Sequence, residues 1–348
     1  MKNIEIARKL GISPTAVSLA LNHHSGVSEE TRKKVCRLKE CSNARSEKCI
    51  SSPNRSITLA IHKKHGHIMN DKPFFSDLIS TIQQEALHHS YNLNVLHYMQ
   101  LQNKELYLDT LQADNNSGII LLATELESKD FCIYKEIQKP LILLDSVSGT
   151  SQLNSVILNN KSSIFQAVQY AYSLGHRNIG YLKSQTYISN FDQRFDGYRN
   201  GLRYYDLEHN CNPVFELPCS VEHAYLEMKK ILSGISAVKM PTIFLSDLDY
   251  IALGAAKAFK EFGYRIPQDI SIIGYDDLPS CRIFDPPLTS VKVSQQKMGK
   301  AAVRQLIHNI SFPKTYTTVT EISAKLIVRS STAPPPCSNF GELNLAHF

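Results

Sequence analysis

From residue 57 onward the chain alternates short apolar runs with amphipathic stretches, and few architectures accommodate that rhythm. ITLAI (57–61), LNVLHY (93–98), GIILLA (118–123) and LILLD (141–145) are separated by segments of helical period at 76–90, 103–113 and 128–138. A second series starts with SVIL (155–158) and continues through a helix over 161–174, NIGYL (178–182), helices over 190–205 and 221–234, TIFL (242–245), a helix over 249–262 and ISIIGYD (270–276). Apolar strands that alternate with helices predict parallel sheets covered by helices, because each parallel connection needs a crossover. Two successive series predict two similar lobes. A chain of 348 residues exceeds one ordinary domain and leaves room for a further small one.

That small unit is legible at the N-terminus. Residues 4–10 (IEIARKL) read as a short helix stopped by Gly11, whose missing Cβ suits a tight turn. A second helix follows at once, with Ser13 as N-cap and Pro14 at the first helical position, where its lost N–H costs nothing. Val17 and Leu21, four apart, are expected to face a core with Ala7 and to leave Thr15, Ala16, Ser18, Leu19 and Asn22 towards the outside. A third helix opens at Ser28, with Glu29 and Glu30 in its first turn. Three short helices with a tight turn between the first two make a helix-turn-helix.

Charge supports that reading. Residues 1–56 carry eleven Lys or Arg against five acids, a surplus that equals the formal net charge of +6 of the whole chain. A basic head on a neutral body is an electrostatic footprint for a polyanion, although charge alone would also fit a solvated surface. Between Cys41 and Ser56 the pattern collapses into polar and breaker residues around Pro53, a linker. The tail APPPCSNFGELNLAHF (333–348) is expected to be disordered.

Several function classes fall away. No stretch is apolar enough to span a membrane, and MKNIEIARKLGIS lacks a signal-peptide core, so a cytoplasmic protein is expected. The eight cysteines include no CxxC pair, which fits reduced thiols. A dehydrogenase with two α/β lobes would need GxGxxG after a strand, and none is found; phosphate-loop, GxSxG and HExxH motifs are missing too. No enzyme and no cofactor are therefore expected. An exported binding protein would share the body but not the basic head. His62, His65 and His67 in HKKHGH invite a metal reading, but three ligands from one loop are weakly specified and a solvated loop is favoured. Cys36, Cys41 and Cys49 fit no standard zinc spacing.

Over residues 4–332 the chain resembles the LacI family of bacterial transcription regulators. The likeness is carried by IARKLGISPTAVSLALN with VSEETRKKV in the head, and by FFSDLI (74–79), GHRNIGYL (175–182), RFDGYRNGL (194–202), ALGAAKAF (252–259), IPQDISIIGYDD (266–277) and PPLTSVK (286–292). The resemblance implies an all-α helix-turn-helix head (1–40), a hinge (41–56) and an α/β core (57–332) of two Rossmann-like lobes with parallel sheets. It also implies a homodimer on palindromic double-stranded operator DNA at the nucleoid, and a small effector, a sugar, bound between the lobes to modulate repression.

The site residues follow from that likeness together with their chemistry. The second helix of a helix-turn-helix enters the major groove, which brings Thr15, Ala16 and Leu19 to base edges, with Pro14 opening the helix. Ser13, Ser18, Asn22 and Thr31 match backbone-phosphate contacts. The family often has Arg where Leu19 stands, so recognition here is expected to lean on apolar contact. In the hinge, the family's Pro-Asn and its minor-groove Leu wedge correspond to Ser42, Asn43 and Cys49; Cys offers less apolar surface, and weak kinking of the operator centre is expected.

For the effector, ligands of open α/β sheets bind beyond the carboxyl ends of strands, where Asp145 and Asp276 end LILLD and ISIIGYD. Both aspartates and Arg194 match effector-contacting positions of the family, and Phe74 and Phe75 suit a pocket wall that stacks on a sugar ring, although for one of them a plain core role fits as well. Three positions depart from it: Leu248 stands where Asn is common, Asn159 where Asp is, and Gln295 where a contact residue aligns. One side of the pocket is accordingly expected to be less polar.

Overall fold

The computed structural model describes residues 3–21, 26–28, 30–35, 55–66, 68–69, 73–99, 103–149, 153–234, 240–313 and 316–336. The chain divides into two compact units, the main boundary falling between Arg55 and Ser56, with Ser90–Asn92 grouped with the first.

In the first unit, α1 (Asn3–Leu10) and α2 (Pro14–Leu21) are joined through Gly11 at φ +64°, and residues 30–35 form α3. Ser13 Oγ accepts the Ala16 N–H at 3.1 Å, as an N-cap should. Ser28 Oγ accepts the Thr31 N–H at 3.3 Å and shares a 2.8 Å hydrogen bond with the Thr31 hydroxyl. Ile6, Ala7, Val17, Ala20 and Val35 form the core, and Leu21 is only partly buried at its margin. Ala20 is fully buried in that core, and Leu21 packs against it.

The second unit holds two six-stranded sheets. The first contains β1 (Ser56–Lys63), β2 (Asn92–Met99), β3 (Asn116–Leu122), β4 (Leu141–Leu144), β5 (Asn154–Leu158) and β11 (Val319–Ile322), in the order β11-β5-β4-β3-β1-β2. The second contains β6 (Ile179–Ser184), β7 (Val214–Leu217), β8 (Ile243–Ser246), β9 (Ser271–Asp276), β10 (Thr289–Lys292) and β12 (Lys325–Ile327), in the order β12-β10-β9-β8-β6-β7. Pairing is parallel throughout the second sheet but for β10 with β12. The covering helices are α4 (Pro73–His88), α5 (Lys104–Gln112), α6 (Asn160–Ser173), α7 (Ser189–Tyr204), α8 (Val221–Gly234), α9 (Asp249–Glu261), the short α10 (Ser280–Ile283) and α11 (Gln295–Ser311).

Four expectations need correction. SVIL does not open the second lobe: as β5 it pairs with β4, Ile142 opposite Asn154, and completes the first sheet before the chain crosses over. The chain crosses again from β10 to α11, which packs on β3, β4 and β5, and once more between β11 and β12. The helix expected over 128–138 is a 3₁₀ helix at Ser128–Tyr134. Its two buried anchors, Phe131 and Tyr134, are three residues apart, the period at which a 3₁₀ helix keeps side chains on one face. Ser56, assigned to the linker, begins β1, and Ala333, assigned to the tail, is still held by the core: its N–H donates to Ser271 Oγ at 3.1 Å and its carbonyl lies 2.9 Å from His176 Nε2.

Among the described residues no helix is long and apolar enough to cross a membrane, and no group of three or more His, Cys, Asp or Glu is arranged to hold a metal. His62 is instead buried with Nδ1 2.7 Å from the Tyr134 hydroxyl, and His65 Nδ1 lies 3.5 Å from Glu125. His67, Cys36, Cys41 and Cys49 lie outside the described residues.

Candidate effector cleft

Asp145 is the first residue beyond β4 and adopts φ +64°, which turns its carboxylate into the space between the sheets. Thr124 Oγ1 donates to its Oδ2 at 2.7 Å and Asn190 Nδ2 to its Oδ1 at 3.0 Å. Burial pushes this carboxyl up from its ordinary value, against the pull of Thr124, Arg194 and Asn190. Asn190 sits in the first turn of α7, so this bond joins the two lobes.

Arg194, one turn further along α7, is 4 % exposed. Its Nε donates to Asn160 Oδ1 at 3.0 Å, its Nη1 donates to the Asp247 carbonyl, and its guanidinium lies 3.6 Å above the centre of the Tyr275 ring. Burial opposes its charge, and Tyr275, Asp276 and Asp247 outweigh that cost. A fork with two arms committed and a face stacked keeps its remaining N–H groups at a fixed angle. Asp276, the last residue of β9, is held at φ +109°.

These groups meet in one cleft. Phe74, Phe75, Asp145, Arg194, Leu248 and Asp276 all line it, together with Thr124, Asn190 and an apolar set of Ile68, Leu158, Ile188 and Phe191. Phe74 and Phe75 come from the first turn of α4 and pack edge to face, ring centres 5.1 Å apart. Leu248 caps α9 and is buried, giving the cleft its apolar side. The cleft leaves about 40 Å³ open to water-sized molecules, well below the roughly 300–1,000 Å³ of an ordinary ligand pocket. Any larger occupant needs the lobes to part or side chains to move.

Sequence reasoning missed the groups that hold this site together. Asp247 directly follows β8 and Asp249, two residues on, opens α9, close to the strand-end signal that marks Asp145 and Asp276, yet both carboxylates are structural. Asp247 accepts from the Tyr181 hydroxyl at 2.6 Å and the Ser184 N–H at 2.7 Å. Asp249 accepts from Ser290 Oγ at 2.6 Å and the Leu278 N–H at 2.8 Å. Burial pushes both up to about 6. Asn159 caps α6, its Oδ1 accepting the Ser162 N–H at 3.0 Å, and Gln295 lines a separate polar hollow with Asp77 and Gln84; neither reaches the cleft.

In the head unit Ser13, Pro14 and Thr15 are exposed, while Ala16, Ser18, Leu19 and Thr31 are half-buried. The oxygen of Ser13 is committed to its cap, which leaves the hydroxyl hydrogen to donate. No residue of α2 is charged. Asn22, Asn43 and Cys49 lie outside the described residues.

Residues 4–40 match the model for bacterial regulatory proteins of the lacI family, and residues 168–332 match the periplasmic binding protein-like domain. The chain is 26% identical over 331 residues to the HTH-type transcriptional repressor PurR of Mannheimia succiniciproducens, covering 94% of this chain and 97% of that one. It is 26% identical over 338 residues to the repressor of the same name from Serratia proteamaculans, at 95% and 97% coverage. Among solved structures it is similar to a complex of the transcriptional regulator CelR with cellobiose, with TM-score 0.69, 22% identity and coverage of 94% and 98%. It is equally similar to the lac repressor dimer bound to operator and the anti-inducer ONPF, with TM-score 0.69, 24% identity and the same coverage. These last two likenesses show a shared fold.

Proposed function

Since this chain belongs to the lacI family of bacterial regulatory proteins, we propose that its cleft takes a small polyhydroxylated effector of the sugar class, whose binding changes affinity for the operator. The protein is a DNA-binding transcriptional repressor with a periplasmic-binding-protein-like effector domain, not an enzyme. The observation that carries the effector reading is that Arg194, Asp276, Phe74 and Phe75 all line one cleft between the lobes. A guanidinium and a carboxylate side by side pair with vicinal hydroxyls, donor to oxygen and oxygen to hydrogen, while aromatic rings cover the apolar face of a pyranose or furanose.

Because the cleft is small, the effector binds a state in which the lobes have parted or side chains have moved, and differential affinity for that state couples it to DNA. The head, residues 1–40, reads a palindromic operator as part of a homodimer in the cytoplasm, with Thr15, Ala16 and Leu19 at base edges and Ser13, Ser18, Asn22 and Thr31 at phosphates. Asn43 and Cys49 belong to a hinge that bends the operator centre weakly.

A thermal-shift and calorimetric screen of mono- and disaccharides tests the effector class, with flat heterocycles of similar size alongside. A carbohydrate should stabilise the wild type and not the Arg194→Ala or Asp276→Ala variants, which should still bind DNA. Stabilisation by heterocycles alone would overturn the sugar assignment.

A further inference from the structure

Glu125 follows Thr124 just beyond β3 and is 2 % exposed. Its carboxylate receives five backbone N–H groups from the irregular loop after β1. Lys64, His65 and Gly66 donate to Oε2 at 3.1, 3.1 and 2.8 Å, and Ile68 and Met69 donate to Oε1 at 3.0 and 3.1 Å. Gly66 sits at φ +76°, a left-handed conformation that lets successive amides point the same way. Amides converging in this manner form a nest, a concave receptor for an anion built from peptide dipoles. Burial alone would raise the pKa of Glu125; the N–H groups of Gly66, Ile68 and His65, with the His65 ring, outweigh it and leave the carboxyl below its ordinary value.

The side chains tie the same two stretches together. Lys64 Nζ lies 2.6 Å from Glu127 and 3.0 Å from Asp130. What the loop carries is functional surface: Ile68 lines the cleft, and the chain leads on to α4, whose first turn presents Phe74 and Phe75. The loop has no sheet or helix partner for these amides, so its shape is set by the carboxylate they surround.

We propose that Glu125 is a positioning residue: it fills the backbone nest with the chain's own carboxylate and thereby holds the Ile68 wall of the cleft, and the first turn of α4 beyond it, in place. A neutral side chain cannot substitute, because Gln would turn an NH₂ group towards two or three N–H donors. The filled nest stands apart from any effector, while its consequence for ligand binding rests on the cleft being the effector site.

Hydrogen exchange on the full-length chain tests this. In the wild type the peptide spanning 64–69 should be protected although it is a loop, and exchange at the rate of an open loop would overturn the proposal whatever the variants do. In Glu125→Ala the same peptide should exchange roughly tenfold faster or more, as expected when hydrogen bonds to a charged acceptor are lost. Added formate should restore protection, and chloride at equal ionic strength should not. Glu125→Gln should behave as Glu125→Ala without rescue. Unchanged protection in a folded Glu125→Ala or Glu125→Gln chain, or equal rescue by chloride, would overturn the nest. If protection of 64–69 falls while the peptide at 73–78 exchanges as in the wild type, the positioning role is refuted. None of these readings requires an effector, so failure of the sugar assignment would be seen separately.

Discussion

Asn190 Nδ2 donates to Asp145 Oδ1 at 3.0 Å and to the Asp145 carbonyl at 3.3 Å, so one amide spans the two lobes and meets both side chain and backbone of a single residue. Thr124 occupies the other carboxylate oxygen. Asn190→Ala leaves Asp145 Oδ1 buried and unpaired, at a cost of ~1–3 kcal/mol. Urea denaturation should show that loss, and small-angle scattering should show a larger radius of gyration as the lobes part. Equal stability and equal dimensions in variant and wild type would refute the latch.

Arg194 and lysine should not be interchangeable. The guanidinium holds Asn160 and the Asp247 carbonyl with separate N–H arms and stacks on Tyr275. An ammonium keeps the charge but cannot make the fork and the stack together. Arg194→Lys should lose about 2–3 kcal/mol of stability, the scale of a buried hydrogen bond to a charged group. Chemical denaturation checks this, and a variant within about 0.5 kcal/mol of wild type, the range of an ordinary surface change, would count against it.

His176 is fully buried, with Nδ1 2.7 Å from the Thr242 hydroxyl and Nε2 against the Ala333 carbonyl. Burial lowers its pKa to about 4, partly opposed by the Ala333 carbonyl. Between pH 6.5 and 4 the unfolded chain therefore takes up a proton that the folded chain refuses, and stability falls as pH falls through that window. The contribution is on the order of 3 kcal/mol. Asp247 and Asp249 work the other way, since carboxyls raised to about 6 retain protons in the folded state and lose stability as pH rises towards 6. His176→Gln should remove the first effect alone and lower the stability at pH 7 relative to that at pH 4.5 by about 3 kcal/mol. An unchanged difference would show that His176 is not the acid-sensitive group.

Leu19 lies on α2, the helix proposed to read the operator, which carries no charged residue. Its replacement by Arg adds a bidentate donor to a face that otherwise offers methyl groups, and such a pair discriminates among bases by about 1–3 kcal/mol. If α2 enters the major groove as proposed, in vitro selection with Leu19→Arg should enrich guanine at one position in each half-site relative to the wild type. Identical selected sequences would remove Leu19 from the interface.

Local signals carried much of this protein into view. The Ser13 cap, the Pro14 start and the Gly11 turn each depend on atoms within a few residues, and each is where the pattern places it. Asp145 and Asp276 could be found because a polar residue at the end of an apolar strand can only face the carboxyl edge of its sheet, whereas Arg194, inside α7, was marked only by the family resemblance. The same signal also marks Asp247 and Asp249, and nothing local separates an acid that lines a cleft from one satisfied by a tyrosine or a serine far along the chain.

Tertiary structure decided the rest. The alternation of strands and helices specifies parallel sheets but not which sheet takes β5, because period reports only which face of an element is apolar. Asn190 meets Asp145 across 45 residues, and Glu125 meets the loop after β1 across 56 to 61. Contacts of that separation exist only once the strands between them have paired, since no local preference offsets the entropy of closing such loops. By itself the sequence therefore determined the helix-turn-helix head, the α/β alternation and the charged strand ends. Which of those ends form a site was left to long-range packing, which brings together residues that carry no trace of one another in the chain.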